Sequence, residues 1–472
     1  MPALPARYGR WVLLLIPAAL LLIFLHLQSS SFGIYRPLAL VDGSDSSSED
    51  DAAADTNPSP ITNTTSPDTD IKHDVVDALP PCHPLPGIED VLVILKTGIT
   101  ESQEKVPAHV NTTLRCIPHK LIVSDFEEDF NGIRSHDVFR NVSEALLEKD
   151  DFALYNRARA GGRQALLPHD YTKVANSAGG MMDNPGWKLD KWKFMPMIQE
   201  ARSYRPDARW YFFFEADSYP VWPNLLAWLK ELDSNKMLYL GSPVMLGDSV
   251  FAHGGSGFVI SNPAMHAVAD YHAQRVQEWE QITDEEWAGD CVLGRALKEA
   301  GVGLTGAWPH FHGWSIWELD ALAEGWGSKN WCVPPLVFHH MTPADVGRAW
   351  EFDQEWFNET NTIMTFADIF QTLVYPMLVD QVEDWDNYAD TEVGNLHGSG
   401  SGGAATAYDC AEACARIADC LQYRFDSHGE CKTSGHAYGG VSSPGYQSGT
   451  MMWRVEALME KRGTCRKPRW VT

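Results

Sequence analysis

Positive charge is scarce in this sequence. Across 472 residues, 37 Lys and Arg face 63 Asp and Glu, a formal net charge of −26 at pH 7. Gripping a phosphate backbone needs a basic face, so this balance argues against nucleic acid as a partner. Cysteine is absent before Cys82, the first of nine. No internal repeat is present, which excludes a repeat array. Residues 28–80 hold only two aromatics, Phe32 and Tyr35, among many Ser, Asp, Thr and Pro. Such a stretch cannot bury enough apolar area to offset the cost of ordering it.

The rest of the chain is richer. Hydrophobic residues make up 44% and aromatics 11% of the whole, enough for a sizeable core, so disorder of the whole chain is excluded. The length fits two or three folded units. Part of the acidity is local: residues 41–80 carry ten acids and one base, Lys72.

The run from Trp11 to Leu27 has no charged residue, and Arg7 and Arg10 precede it. Seventeen helical residues span about 25 Å, slightly less than a ~30 Å hydrocarbon core. The expectation is a signal anchor over 11–27, with a cytosolic tail over 1–10 and everything beyond it lumenal. A cleaved signal peptide ending near Ser29–Ser31 is the alternative. N-glycosylation sequons start at Asn63, Asn111, Asn141 and Asn358. With the cysteines, they place the chain in an oxidising, glycosylating compartment.

Patterned sequence begins at Val91–Leu95, a short apolar run typical of a buried strand. Leu121–Val123, Trp210–Phe214, Tyr239–Leu240 and Phe258–Ile260 read as further strands. Helical stretches are expected at Ser135–Glu148, Lys193–Tyr204, Asn224–Leu232, Asn262–Trp279 and Asp290–Ala300. Strands alternating with helices predict an α/β fold with a mainly parallel sheet covered on both faces. Residues 81–393 would form this domain, 394–405 a Gly/Ser linker, and 406–472 a small module stapled by disulfides.

The most informative stretch is Phe212-Phe-Phe-Glu-Ala-Asp-Ser-Tyr219, where an apolar strand ends in two carboxylates, Glu215 and Asp217. Ligands of open α/β sheets bind beyond the carboxyl ends of strands. Acids at i and i+2 in extended chain share one face, where they can hold a hard divalent cation that also bridges a diphosphate. A solvated turn after a buried strand is the plainer reading. Gly254-Gly-Ser-Gly257 offers close backbone approach to a ligand, or simply a turn into the next strand. Asp290 opens a helix, where a carboxylate serves as N-cap or as an oriented base. Five tryptophans, Trp308, Trp314, Trp317, Trp326 and Trp331, would line either a sugar site or a core.

Val91 to Gly98, the FFEADSY stretch, Phe251 to Phe258, Gly289 to Gly294 and Leu336 to His340 occur in the order seen in glycosyltransferase family 31. The chain resembles the branch holding fringe and the core 1 β1,3-galactosyltransferases, in a fungal-type version, over roughly residues 88–345. The resemblance implies a GT-A-like α/β domain and an inverting transfer of galactose or N-acetylglucosamine from a UDP-sugar. The acceptor would be a hydroxyl on a glycan or glycoprotein, the linkage β1,3, and the cofactor Mn²⁺. It implies Asp217 as metal ligand, with Glu215 standing where the family usually has an aspartate. His339 is favoured as the second ligand, ahead of His312 and His340, and Asp290 would be the general base. Thr97, Gly98, Asp125, Lys193, Glu215, Asp217, Gly254 and Gly255 would contact the donor.

By location, Cys82 would pair with Cys116 and Cys291 with Cys332. The C-terminal Cys410, Cys414, Cys420 and Cys431 resemble a PAN/apple module and would form two pairs, leaving Cys465 free or bonded between chains. The implied setting is the Golgi or ER membrane, type II, and a homodimer stays open. Two other readings remain: a membrane-anchored carbohydrate-binding scaffold that has lost activity, supported by Glu215-Ala216, and a secreted PAN-containing adhesion protein.

Overall fold

The structure is a computed structural model that describes residues 82–171, 184–325, 328–392 and 406–471. The expected anchor over 11–27, the stem over 28–80, Asn63 and the whole Gly/Ser stretch over 394–405 lie outside these residues. Among the described residues, no helix is long and apolar enough to cross a membrane.

The strands in chain order are β1 Val91–Lys96, β2 Lys120–Ser124, β3 Asp129–Phe130, β4 Ile133–Asp137, β5 Trp210–Glu215, β6 Tyr219–Pro220, β7 Tyr239–Gly241, β8 Pro243–Leu246, β9 Ser249–Ala252, β10 Phe258–Ser261, β11 Leu304–Gly306, β12 Glu324–Gly325, β13 Ser328–Lys329 and β14 Val337–Phe338. Eight of them make one mixed sheet in the order β11-β7-β10-β5-β1-β2-β4-β3. The pairs β1·β2, β1·β5, β2·β4 and β7·β11 are parallel. The pairs β10·β5, β10·β7 and β3·β4 are antiparallel. The fold is therefore α/β with a large mixed sheet flanked by helices, in which parallel pairs outnumber antiparallel ones four to three.

Three helices matter for the site: α1 Ser102–Asn111 after β1, α2 Phe194–Tyr204 before β5, and α3 Gly289–Glu299. The strands β1 and β5 are continuous apolar runs because both of their faces are covered. Leu92, Ile94, Tyr211 and Phe213 enter the core on the side of α2 and α3. Val93, Leu95, Phe212 and Phe214 enter the core on the side of α1 and the helix Trp222–Lys230.

Two helix expectations differ from what is seen. Ser135 lies in β4, an edge-side strand of mixed polarity, and only Glu144–Leu147 is helical nearby. The stretch from Asn262 breaks at Gln274–Arg275 into Asn262–Ala273 and Val276–Glu285.

The C-terminal sheet holds β15 Val382–Asp386, β16 Thr391–Glu392, β17 Gln422–Asp426, β18 Cys431–Ser434 and β19 Val441–Thr450, in the order β15-β19-β17-β18-β16. Two of its strands precede residue 394, so this sheet begins earlier along the chain than its cysteines suggest. Disulfides Cys410–Cys431 and Cys414–Cys420 tie the helix Ala407–Arg416 to it.

Cys82 pairs with Cys116 as expected. The expected Cys291–Cys332 pair does not form. Cys332 bonds Cys465, 133 residues away, and Cys291 is a buried free thiol inside α3. The reason lies in the tail, which folds back on the large domain. Trp331 Nε1 donates to Gly463 O at 2.7 Å, Arg469 N to Cys332 O at 2.8 Å, and Val471 N to His310 Nε2 at 2.8 Å. Trp317 and Trp331 are buried in the core beneath this segment, and Trp314 is exposed.

Candidate active site

The end of β5 is fixed by backbone before any side chain acts. Ala216 N donates to Lys96 O at 3.1 Å, Ser218 N to Glu215 O at 3.0 Å, and Met341 N to Asp217 O at 2.8 Å. His109, on α1, meets Ala216 O through Nε2 at 2.9 Å and Thr113 Oγ1 through Nδ1 at 2.8 Å. Burial pushes its pKa down to about 4. The ring is therefore neutral at physiological pH, with Nε2–H donating to the carbonyl.

The antiparallel pairing of β14 with β6 brings the Phe338-His339-His340 stretch to this turn, with Phe338 opposite Tyr219. There Glu215, Asp217 and His339 converge, with one potential ligand atom from each lying within 4.8 Å of the others. His339 Nε2 is 3.3 Å from Asp217 Oδ1. Its Nδ1 is buried with no hydrogen-bond partner. Two carboxylate oxygens and an imidazole nitrogen suit Mn²⁺ or a similar divalent ion. The orphaned nitrogen marks a site whose polar groups are not all satisfied by protein.

The electrostatics separate the two acids. Burial alone would raise the Asp217 carboxyl, but Lys105 and then His339 hold it well below the ordinary range. Burial raises Glu215, and Asp190 and Asp217 add to this against the pull of Lys96. His339 is raised despite its burial because Asp217 faces it. Asp217 is thus kept anionic, while Glu215 is shared with Lys96 at 3.1 Å.

The glycine loop lies against this cluster. A Cβ at Gly255 would fall 2.2 Å from His339 Cε1, so only glycine lets the backbone lie on the imidazole. Ser218 Oγ donates to Gly255 O at 2.6 Å. Gly254 N donates to Asp290 Oδ2 at 2.9 Å, and Cys291 N to Asp290 Oδ1 at 2.9 Å. Gly254 also borders Glu215, since a Cβ built there would lie 3.2 Å from Glu215 Oε1 and 3.4 Å from Asp290 Cβ. Asp290 therefore sits beside the cluster. It occupies the first turn of α3 behind Ala288, which holds the N-cap position, so it is not the cap. Burial raises its pKa, and the Gly254 and Cys291 N–H groups restrain the rise.

Below the turn lies a lattice of charges. Lys96 Nζ is 2.6 Å from Asp190 Oδ2, and Lys193 Nζ is 3.0 Å from Asp125 Oδ2. Lys193 also donates to Thr97 O at 2.9 Å, and Asp125 Oδ1 accepts from Ile99 N at 2.7 Å. A Cβ at Gly98 would lie 2.7 Å from Lys193 Nζ. Thr97, Gly98, Asp125 and Lys193 thus lie together. However, Asp125 and Lys193 are buried and paired with each other, which makes them a floor under the site rather than its surface.

His312 does not reach the acids. It is buried beside Phe338 and Phe366, with centroid distances of 5.9 and 5.7 Å. His340 has a φ of 58° and packs against Trp314. The asparagines Asn111, Asn141 and Asn358 are exposed, although Thr113 of the Asn111 sequon is buried. Sequence reasoning missed Asp190, His109 and Lys105. Of these, only Lys105 left a trace, as the fourth residue after Glu101 at a helix start.

A family model described as Fringe-like matches residues 190–322. The match covers Asp190, Lys193, the acidic turn, the glycine loop and Asp290, and stops short of His339. It points to a glycosyltransferase. No curated protein matches the chain.

Proposed function

We propose that this protein is a metal-dependent, inverting glycosyltransferase. It would move galactose or N-acetylglucosamine from a UDP-sugar to a hydroxyl of a glycan or glycoprotein, in a β1,3 linkage. The observation that carries this reading is the convergence of Glu215, Asp217 and His339 at the end of β5, with Asp290 beside them across Gly254.

Asp217 and His339 would hold Mn²⁺, with Glu215 at its side. The ion would supply positive charge that offsets the departing diphosphate. The protein's own residues do the rest. Asp290, with a raised pKa and two N–H groups fixing its carboxylate, accepts the proton of the acceptor hydroxyl. The acceptor oxygen bonds to the anomeric carbon as the bond from that carbon to the phosphate oxygen breaks, and UDP leaves on the opposite face. His109 and Met341 hold the Ala216 and Asp217 carbonyls, so the acids stay in place. The Fringe-like match and the resemblance to family 31 support a Golgi setting, with residues 11–27 as the anchor. The PAN-like C-terminal sheet would keep the enzyme near its acceptor.

The test is UDP release by the purified full-length chain from a panel of UDP-sugars with Mn²⁺, beside Asp217→Ala. Slow release from one sugar, abolished by EDTA and by the substitution, is the expected result. Failure to bind Mn²⁺ and UDP at all would favour the inactive scaffold.

A further inference from the structure

Three lysines approach the acids of the site, and they are not equivalent. Lys96 is 6% exposed along its side chain, locked between Asp190 and Glu215. Lys193 is 3% exposed and locked between Asp125, Asp190 and Thr97 O. Lys193 cannot leave without stranding Asp125, which is 2% exposed, and Lys96 is itself buried between two carboxylates with no other partner to move to among the described residues.

Lys105 differs. It projects from α1, the helix that starts just beyond β1, and its side chain is 18% exposed. Its ammonium is divided between two carboxylates, Asp217 Oδ2 at 3.2 Å and Glu101 Oε2 at 2.7 Å. Glu101, at the N-cap position of α1, is its neighbour by i, i+4 and is 37% exposed. Lys105 can therefore give up Asp217 and keep a full partner on its own helix. The oxygen it would give up is Oδ2 of Asp217, whose Oδ1 lies 3.3 Å from His339 Nε2.

We infer that Lys105 is a displaceable counter-ion for Asp217. It neutralises this carboxylate when the site holds no divalent cation, and on release it rests on Glu101, where its charge serves the diphosphate of the donor. This inference rests on the metal-dependent transferase reading. Lysine suits the role as a compact, mobile point charge on a flexible stem. The arrangement makes metal and nucleotide binding respond oppositely to loss of the same side chain. Without Lys105, a divalent ion no longer competes for Asp217 and binds more tightly, whereas the diphosphate loses a cation and binds more weakly.

The experiment is a calorimetric titration of the purified full-length chain with MnCl₂ alone, then with UDP at saturating Mn²⁺. Wild type, Lys105→Met and Glu101→Gln are compared, and thermal melts confirm that each is folded. Lys105→Met is expected to tighten Mn²⁺ roughly tenfold and weaken UDP roughly tenfold. Glu101→Gln removes the resting partner, drives the ammonium onto Asp217, and is expected to weaken Mn²⁺ several-fold. If wild type binds Mn²⁺ and neither variant moves its affinity in the stated direction, the counter-ion role is wrong while the metal site stands. A Lys105→Met protein weakened for both ligands would show a merely structural lysine and also overturn it. Absence of Mn²⁺ binding in all three would overturn the metal reading together with this inference.

Discussion

The acidic turn and the C-terminal sheet are held together by opposite means. Around β1 and β5, paired charges lie at the carboxyl ends of two strands whose side chains fill large aromatic and aliphatic cores on both faces. No disulfide closes that site. In the C-terminal sheet, one buried cluster consists of Cys410, Cys414, Cys420 and Cys431 with Tyr423, so disulfide sulfur makes up most of it, while Leu421, Ala437 and Val455 join the core of the large domain. A region with ample apolar burial can carry Lys96, Asp190, Lys193, Asp125, Glu215 and Asp217 close together. A region without it depends on covalent bonds, as small folded units do.

The largest effect should come from Asp217→Asn, which removes the carboxylate that both His339 and Lys105 address. UDP-sugar turnover is expected to fall by roughly 10³-fold or more, with the fold kept, as read by activity and circular dichroism. Asp290→Asn should follow, with kcat lowered by about 10²–10³-fold and Mn²⁺ affinity little changed, because the amide cannot accept the acceptor's proton. An equal loss of Mn²⁺ binding would show that Asp290 is a ligand instead of a base.

On the other side of the comparison, Cys410→Ser with Cys431→Ser opens a loop of 21-residue separation. The cost is roughly 3 kcal/mol, and it should fall on the C-terminal sheet. Limited proteolysis should cut there first while Mn²⁺–UDP binding survives. Loss of both together would mean that the two regions are one cooperative unit.

A smaller, pH-dependent effect belongs to Asp353, which is buried against Tyr219 OH at 2.9 Å with its other oxygen unpartnered. Burial raises its pKa from 3.8 to about 7. The folded protein therefore holds a proton that the unfolded chain releases near pH 4. The stabilisation this provides is complete below about pH 4 and is lost as pH rises through about 7. Between pH 5 and pH 7 the loss is roughly 2 kcal/mol, and Asp353→Asn should flatten it in denaturant unfolding.

Those same regions show what could be read from sequence. The strands β1 and β5 were legible because burial on both faces leaves an unbroken apolar run, and Glu215 and Asp217 were legible because such a run ends abruptly in acids. β4 was not, since Ile133–Asp137 has mixed polarity and no alternation strong enough to distinguish it from a helix. The Cys332–Cys465 bond was hidden because it depends on the tail folding back across 133 residues. Asp125 and Lys193 were found as residues but not as a buried pair, since spacing reveals neighbours along the chain and not depth. Lys105 was missed because its relation to Asp217 spans 112 residues and depends on α1 being placed against the acids.

The choice between His339 and His312 carries the central claim and is open to direct measurement. Pulsed electron paramagnetic resonance on Mn²⁺ bound to the full-length chain reads nitrogen coupling from a coordinating imidazole. The account expects that coupling in wild type and in His312→Gln, and its loss in His339→Gln. Coupling that survives in His339→Gln, or that disappears in His312→Gln, would contradict it.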